Sequence, residues 1–248
     1  FNPKLSVITI VFNNARDIER TMLSVLNQTY GNIEYIVIDG SSTDGTLGII
    51  KRYENRLILR SEKDNGIYDA MNKGLALANG DYVLFMNSGD EIYAADTVEK
   101  VFAAAPSADV YYGETEMFDD TWNSLGQRRH RAPEKLTKAS FRFGMSVSHQ
   151  AIYVRRELAT PYDLRYKLSS DIDWILNILE KATVVVNTRM YVAKYLVGGM
   201  SKKKHRESLK ERFAIFTKHF GLLPNLMNHG VIALKLLIYY LKHKRTND

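Results

Sequence analysis

Cysteine is absent from the 248 residues. Disulfides, thiolate metal sites and cysteine nucleophiles are therefore excluded, and a reducing, cytoplasmic setting is expected. Long apolar runs are missing too. The longest, Val231 to Leu241, is interrupted by Lys235, whereas a membrane-spanning helix needs about 20 mostly apolar residues. A glycine-rich phosphate loop is missing after the first strand-like segment. Phe12-Asn13-Asn14-Ala15-Arg16 stands where a dinucleotide-binding protein would carry Gly-x-Gly-x-x-Gly, which argues against a dehydrogenase and a nucleotidyltransferase. Acidic residues are the minority charge, 28 against 34 Lys and Arg, for a net +6. That balance suits an anionic partner. The basic clusters Lys202–Arg206 and Lys242–Arg245 lie near the C-terminus without a recognisable nucleic-acid motif, so nucleic acid is not expected.

What is present is an ordinary globular composition, 45% hydrophobic and 25% charged, so disorder is expected only at the ends. Leu5 to Phe12 is almost continuously apolar and β-rich, as a strand covered on both faces is. The spacing predicts a helix over 15–28, a strand over 33–38, a helix to about Tyr53, a short strand at 57–59, a helix over 68–78 and a strand over 82–86. This alternation predicts an α/β protein with a mostly parallel sheet flanked by helices. Past residue 92 the pattern loosens. A helix is expected at 97–105, strands at 110–114 and 148–155, a loop-rich excursion over 116–146, a helix at 171–180 and β-structure over 183–196. Two basic, apolar-faced helices follow, over 201–220 and 224–244.

In parallel sheets ligands bind beyond the carboxyl ends of the strands. Asn13, Asp39 and Asp90 each fall there. A carboxylate on a turn after a buried strand suits Mg²⁺ or Mn²⁺, which take oxygen ligands from one or two carboxylates and from substrate phosphates. Asn87-Ser88-Gly89-Asp90 fits that role, with Gly89 permitting close approach of a ligand; read alone, it is better explained as a turn. Asp39 suits a base or ribose, and Asp44 that role or a helix cap. Glu62-Lys63-Asp64 reads as a solvated loop. Trp174 suits a sugar-stacking role or the core, and His149-Gln150 either substrate contact or internal hydrogen bonding.

Four segments occur in one order: Thr9–Asn14, Val37–Thr46, Asp64–Gly74 and Phe85–Asp90. Together they resemble the family 2 glycosyltransferases of the GT-A fold, especially bacterial members that assemble exopolysaccharide, colanic acid or O-antigen. The resemblance is strong over residues 4 to about 92 and thinner through His149-Gln150 and Ser169–Trp174. It implies a transferase domain over 1–200, with a donor-binding half to about 92 and an acceptor half from 93, followed by a helical extension over 201–248. It implies a nucleotide-sugar donor, a UDP-sugar in particular, a glycan or lipid-linked acceptor, and inversion at the anomeric carbon. Thr9, Phe12 and Asn13 would line the nucleotide pocket, Asp39 would contact base or ribose, and Asp69 and Lys73 would border the donor. Asn87 to Asp90 corresponds to the family's Asp-x-Asp motif, with Asp90 its metal ligand. Gly89 departs from the pattern, since relatives often carry Asp there.

The family's general base falls on Asp171, with Asp173 as the alternative. A glycine-hinged basic segment carrying Lys202 and Lys204 would close over the diphosphate, or lie on anionic lipid. The last helix, over 224–245, would rest on a membrane surface, pack on the domain or join a homodimer. A catalytically silent nucleotide-binding scaffold is the competing reading from another functional class.

Overall fold

The structure is a computed structural model; it describes residues 1–128, 130–198 and 204–231. Strand β1 (Leu5–Val11) is buried at all seven positions, because helices cover both of its faces. Helix α1 (Ile18–Leu26) turns Ile18, Thr21, Met22 and Val25 inward, the spacing of one helical stripe. Strand β2 (Ile33–Asp39), helix α2 (Thr46–Lys51) and strand β3 (Ile58–Ser61) follow. Helix α3 (Ile67–Leu77) lies close against the sheet. A Cβ on its Gly74 would come within 2.4 Å of Ile8 Cγ2, so only glycine permits that approach. Strand β4 (Tyr82–Phe85) completes a parallel run in which β1 pairs with both β2 and β4, and β3 with β2.

The second half extends the same sheet with mixed pairing. It contains β5 (Glu91–Ile92), α4 (Thr97–Ala103), β6 (Val110–Phe118), β7 (Ser124–Gln127), β8 (Ile152–Arg155), α5 (Ser170–Lys181), β9 (Val185–Leu196) and α6 (His205–Phe220). The order across the sheet is β3-β2-β1-β4-β8-β6-β9-β5, with β7 beside β6. The direction of winding reverses between β1 and β4, which places a crevice beyond their carboxyl ends. Every element expected up to residue 86 is present, with helix ends shorter by a few residues.

Two features differ from expectation. The region expected to be loop from 116 begins as a β6–β7 hairpin. Its turn is closed by Asp119, whose Oδ1 accepts the backbone N–H groups of Thr121 and Asn123. The two-residue β5 pairs with β9 directly after the Asp90 turn, too short to leave a periodic signal. Under α5, Trp174 stacks on Tyr162 with ring centroids 5.0 Å apart, and Tyr162 on Tyr68 at 5.3 Å. The helical stretch expected over 224–244 is seen over 222–231; its remainder, Lys202 and most of the expected lid lie outside the described residues. Among the described residues no helix is long and apolar enough to cross a membrane.

Candidate active site

The crevice between β1 and β4 is built from their terminal loops. Asn14 Nδ2 donates to Ser88 Oγ (2.9 Å), and the Gly89 N–H donates to Thr21 Oγ1 on α1 (2.9 Å). Gly89 has φ +104°, a left-handed conformation that a side chain strains. This gives a physical reason for glycine at position 89. The turn aims Asp90 inward. Its carboxylate accepts Gln150 Nε2 at 2.6 Å and the Leu196 N–H at 3.1 Å. Burial pushes Asp90 up to about 6, against the opposing pull of those two donors. Neighbouring Glu91 faces away, paired with Arg20 (2.9 Å) and Lys194 (3.3 Å).

At the end of β2, Asp39 is fully buried and accepts Ser61 Oγ at 2.6 Å and the Ser42 N–H at 3.2 Å. Asn13, at φ 48°, accepts the Thr43 N–H at 2.8 Å, which fixes the two loops together. Phe12 is 63% exposed at the end of β1, a free aromatic face beside Asp39. A Cβ on Gly40 would meet Asp64 Oδ2 at 2.5 Å and Phe12 Cδ2 at 3.3 Å. Phe12, Gly40 and Asp64 therefore lie against one another. Asp64, read from sequence as part of a solvated loop, is drawn against the end of β2; the glycine after Asp39 was the available signal.

Asp171 and Asp173, two apart on α5, point to different places. The Asp171 side chain is 16% exposed. It accepts Tyr68 OH at 3.1 Å and faces His149 Nδ1 at 3.4 Å. Burial raises its pKa, but His149 and Tyr68 outweigh it and hold Asp171 below the usual carboxylate value. His149 Nε2 in turn meets Asn87 Nδ2 at 3.0 Å. A carboxylate only accepts, so the contact with Asp171 takes a proton on His149 Nδ1, while the Asn87 amide, as oriented, donates to Nε2. The adjacent residues His149 and Gln150 thus each hold one carboxylate, Asp171 and Asp90. Asn87 Oδ1 is buried with no hydrogen-bond partner among the described residues.

The family model described as glycosyl transferase family 2 matches residues 6–159. A PGL/p-HBAD biosynthesis glycosyltransferase of Mycobacterium bovis (strain BCG / Pasteur 1173P2) is 31% identical over 227 residues, covering 87% of this chain and 86% of that protein. The chain belongs to glycosyltransferase family 2. It is an enzyme that transfers a sugar from a nucleotide sugar. Its fold matches that of S. aureus TarS residues 1–349 solved with UDP-GlcNAc, with TM-score 0.71 and 20% identity, over 91% of this chain and 72% of that one. It also matches the mannosyltransferase PcManGT from Pyrobaculum calidifontis solved with GDP-Man and Mn²⁺, with TM-score 0.67 and 19% identity, over 92% and 70%.

Several other residues expected at the glycosyltransferase site are engaged in internal contacts. Thr9 is buried, its hydroxyl shared between Tyr35 OH (3.0 Å) and the Met86 carbonyl (2.7 Å), so it braces the strands and does not reach a ligand. Trp174 is 2% exposed with Nε1 donating to the Thr160 carbonyl (2.7 Å), which leaves no ring face for a sugar. Asp173 faces α6, bonded to Lys218 (2.8 Å) and His219 (2.7 Å) and away from His149. Asp69 and Lys73 pair at 3.3 Å, and Lys73 also binds Glu62 at 3.0 Å; they clamp the 62–66 loop onto α3. Lys204 is exposed, 3.8 Å from Glu207.

Among the described residues no three metal-ligating side chains gather. A divalent cation would therefore rest on Asp90 and on donor phosphates, as Mg²⁺ often does with few protein ligands. The chemistry suits it: a hard oxygen donor, rendered costly to ionise by burial, gains a counter-charge. The unpartnered Asn87 Oδ1 on the same turn is a second hard oxygen.

Proposed function

We propose that this glycosyltransferase moves a sugar, with inversion, from a UDP-sugar to a hydroxyl of a glycan or lipid-linked acceptor in bacterial surface polysaccharide synthesis. The observation that carries the reading is the pairing of two unlike carboxylates through one dipeptide. Asp90, held by Gln150, lies at the end of β4 where the diphosphate is expected. Asp171, held by His149, is kept ionised. Divergent environments for two carboxylates are what acid–base and ion-binding roles require. The UDP-GlcNAc bound in the TarS structure supports the donor class, and the PGL/p-HBAD biosynthesis name of the mycobacterial relative supports a biosynthetic transfer.

Phe12 would stack the base, and Asp39 and Asp64 would meet base and ribose. Mn²⁺ or Mg²⁺ at Asp90, when bound, would neutralise charge on the departing diphosphate. The acceptor oxygen bonds to the anomeric carbon as the bond from that carbon to the diphosphate oxygen breaks. The acceptor's proton passes to Asp171, whose carboxylate Tyr68 and His149 orient.

Asp171→Asn should retain Mn²⁺-dependent UDP binding and lose transfer by about 10²- to 10⁴-fold. Products of the native enzyme should carry the anomeric configuration opposite to the donor's, read by NMR. Retention of configuration, or an Asp171→Asn enzyme with near-native turnover, would overturn the mechanism. Binding of UDP with metal but no transfer to any glycan or lipid acceptor would favour the scaffold reading.

A further inference from the structure

Two arginines that act electrostatically on the proposed base each keep one buried N–H without a hydrogen-bond partner among the described residues. Arg128 follows β7, its backbone N–H donating to the Thr115 carbonyl at 3.3 Å. Thr115 Oγ1 meets Ser148 Oγ at 3.0 Å, one residue before His149. Arg212 stands on α6, the helix that packs on α5. Arg128 Nη1 and Arg212 Nε are both buried with no hydrogen-bond partner among the described residues. Among the described residues, neither guanidinium comes within the 4.0 Å of an ion pair with any carboxylate. Yet the two charges act on one another, and each acts on Asp171. Burial first, then repulsion from Arg212, holds Arg128 below the ordinary arginine value, against the attraction of Tyr195, Asp171 and Glu114.

Two like charges with buried, unused N–H donors are expensive in a folded protein. They become favourable when an oxyanion takes those donors, and the guanidinium fork matches phosphate and carboxylate geometry. Their position selects the source. The donor's diphosphate is read onto Asp90, whereas Asp171 faces the hydroxyl under attack, so groups flanking Asp171 meet the acceptor. We propose that Arg128 and Arg212 form an oxyanion site that binds a phosphate or carboxylate carried by the acceptor and thereby seats its hydroxyl on Asp171. This rests on the glycosyl-transfer reading of Asp171.

The test is calorimetric titration of inorganic sulfate into the full chain saturated with UDP and Mn²⁺. Saturable sulfate binding is expected, weakened about tenfold or more in Arg128→Gln and in Arg212→Gln, with UDP affinity within about twofold of native. Arg128→Lys, which keeps the charge and loses the fork, should fall between. Melting curves identify any variant that fails to fold, and the two positions on separate elements provide independent trials. Sulfate affinity unchanged in both glutamine variants would overturn the site. Sulfate that displaces UDP would overturn the acceptor assignment and place the oxyanion with the donor's diphosphate. The underlying reading fails separately, through absence of metal-dependent UDP binding in the native chain.

Discussion

Asp90 carries a burial cost that a bound cation would offset. Its folded pKa of about 6 lies above the ordinary carboxylate value near 4. A raised carboxylate favours the protonated fold, so the penalty is fully present above about pH 6 and fades as pH falls toward 4. At neutral pH it is on the order of 2–3 kcal/mol. Asp90→Asn removes the charge while Gln150 can turn its amide to suit either partner. The apo variant should melt higher than native by roughly 5 °C while losing Mn²⁺-dependent stabilisation by UDP. Differential scanning with and without the ligands reads both effects, and an apo melting temperature that falls would contradict the burial argument. Metal and proton compete for the same carboxylate. Metal-dependent UDP affinity, followed by calorimetry, should therefore be level above about pH 6 and drop towards tenfold per unit below it. A flat profile through that range would remove Asp90 as the ligand.

At the scale of elements, α5 is held to α6 by a polar latch. Asp173 bonds Lys218 and His219, and His219 also reaches Glu180 at 3.1 Å, which in turn pairs with Lys138. Burial raises the Asp173 pKa, but His219 and Lys218 more than reverse this and hold it below the ordinary value. A depressed carboxylate adds stability above its unfolded pKa near 4, and that stability is lost as pH falls through the lower folded value. Asp173→Ala should cost about 2–3 kcal/mol by stranding the buried His219, and should flatten the acid limb of stability. Residual transfer per folded molecule should exceed that of Asp171→Asn by at least about tenfold. Normal melting with abolished transfer would instead make Asp173 the base. Because α6 also carries Arg212, loosening this latch should weaken sulfate binding alongside stability.

For the whole molecule, legibility in the sequence follows the range of the interactions. The parallel half was readable because doubly covered strands appear as apolar runs, and each run's carboxyl end places a polar residue in the crevice: Asn13, Asp39, Asp90. The partners of those residues were not readable. Gln150 reaches Asp90 across 60 positions, and Tyr68 reaches Asp171 across 103. Arg128 and Arg212 lie in no motif, and only the hairpin and the packing of α6 bring them to one place. The choice between Asp171 and Asp173 likewise needed the direction each faces. One expectation concerns the molecule's surroundings, peripheral attachment through the C-terminal helix. Over 222–231 the exposed apolar residues are Leu222, Leu223, Leu226, Met227 and Val231, with Leu223 at 74% and Met227 at 73%. Their spacing places them along one helical face, on a chain of net charge +6. Each such side chain buried in lipid contributes roughly 1.5–3 kcal/mol, and each nearby cation about 1 kcal/mol at an anionic surface. The intact chain should float with vesicles containing anionic phospholipid, bind less to neutral ones, and detach as salt is raised. Leu223→Ser with Met227→Ser should remain at the bottom of the gradient while keeping UDP binding. An intact chain that stays unbound on anionic vesicles would leave this face to protein contacts, and the acceptor would then have to be met away from the membrane.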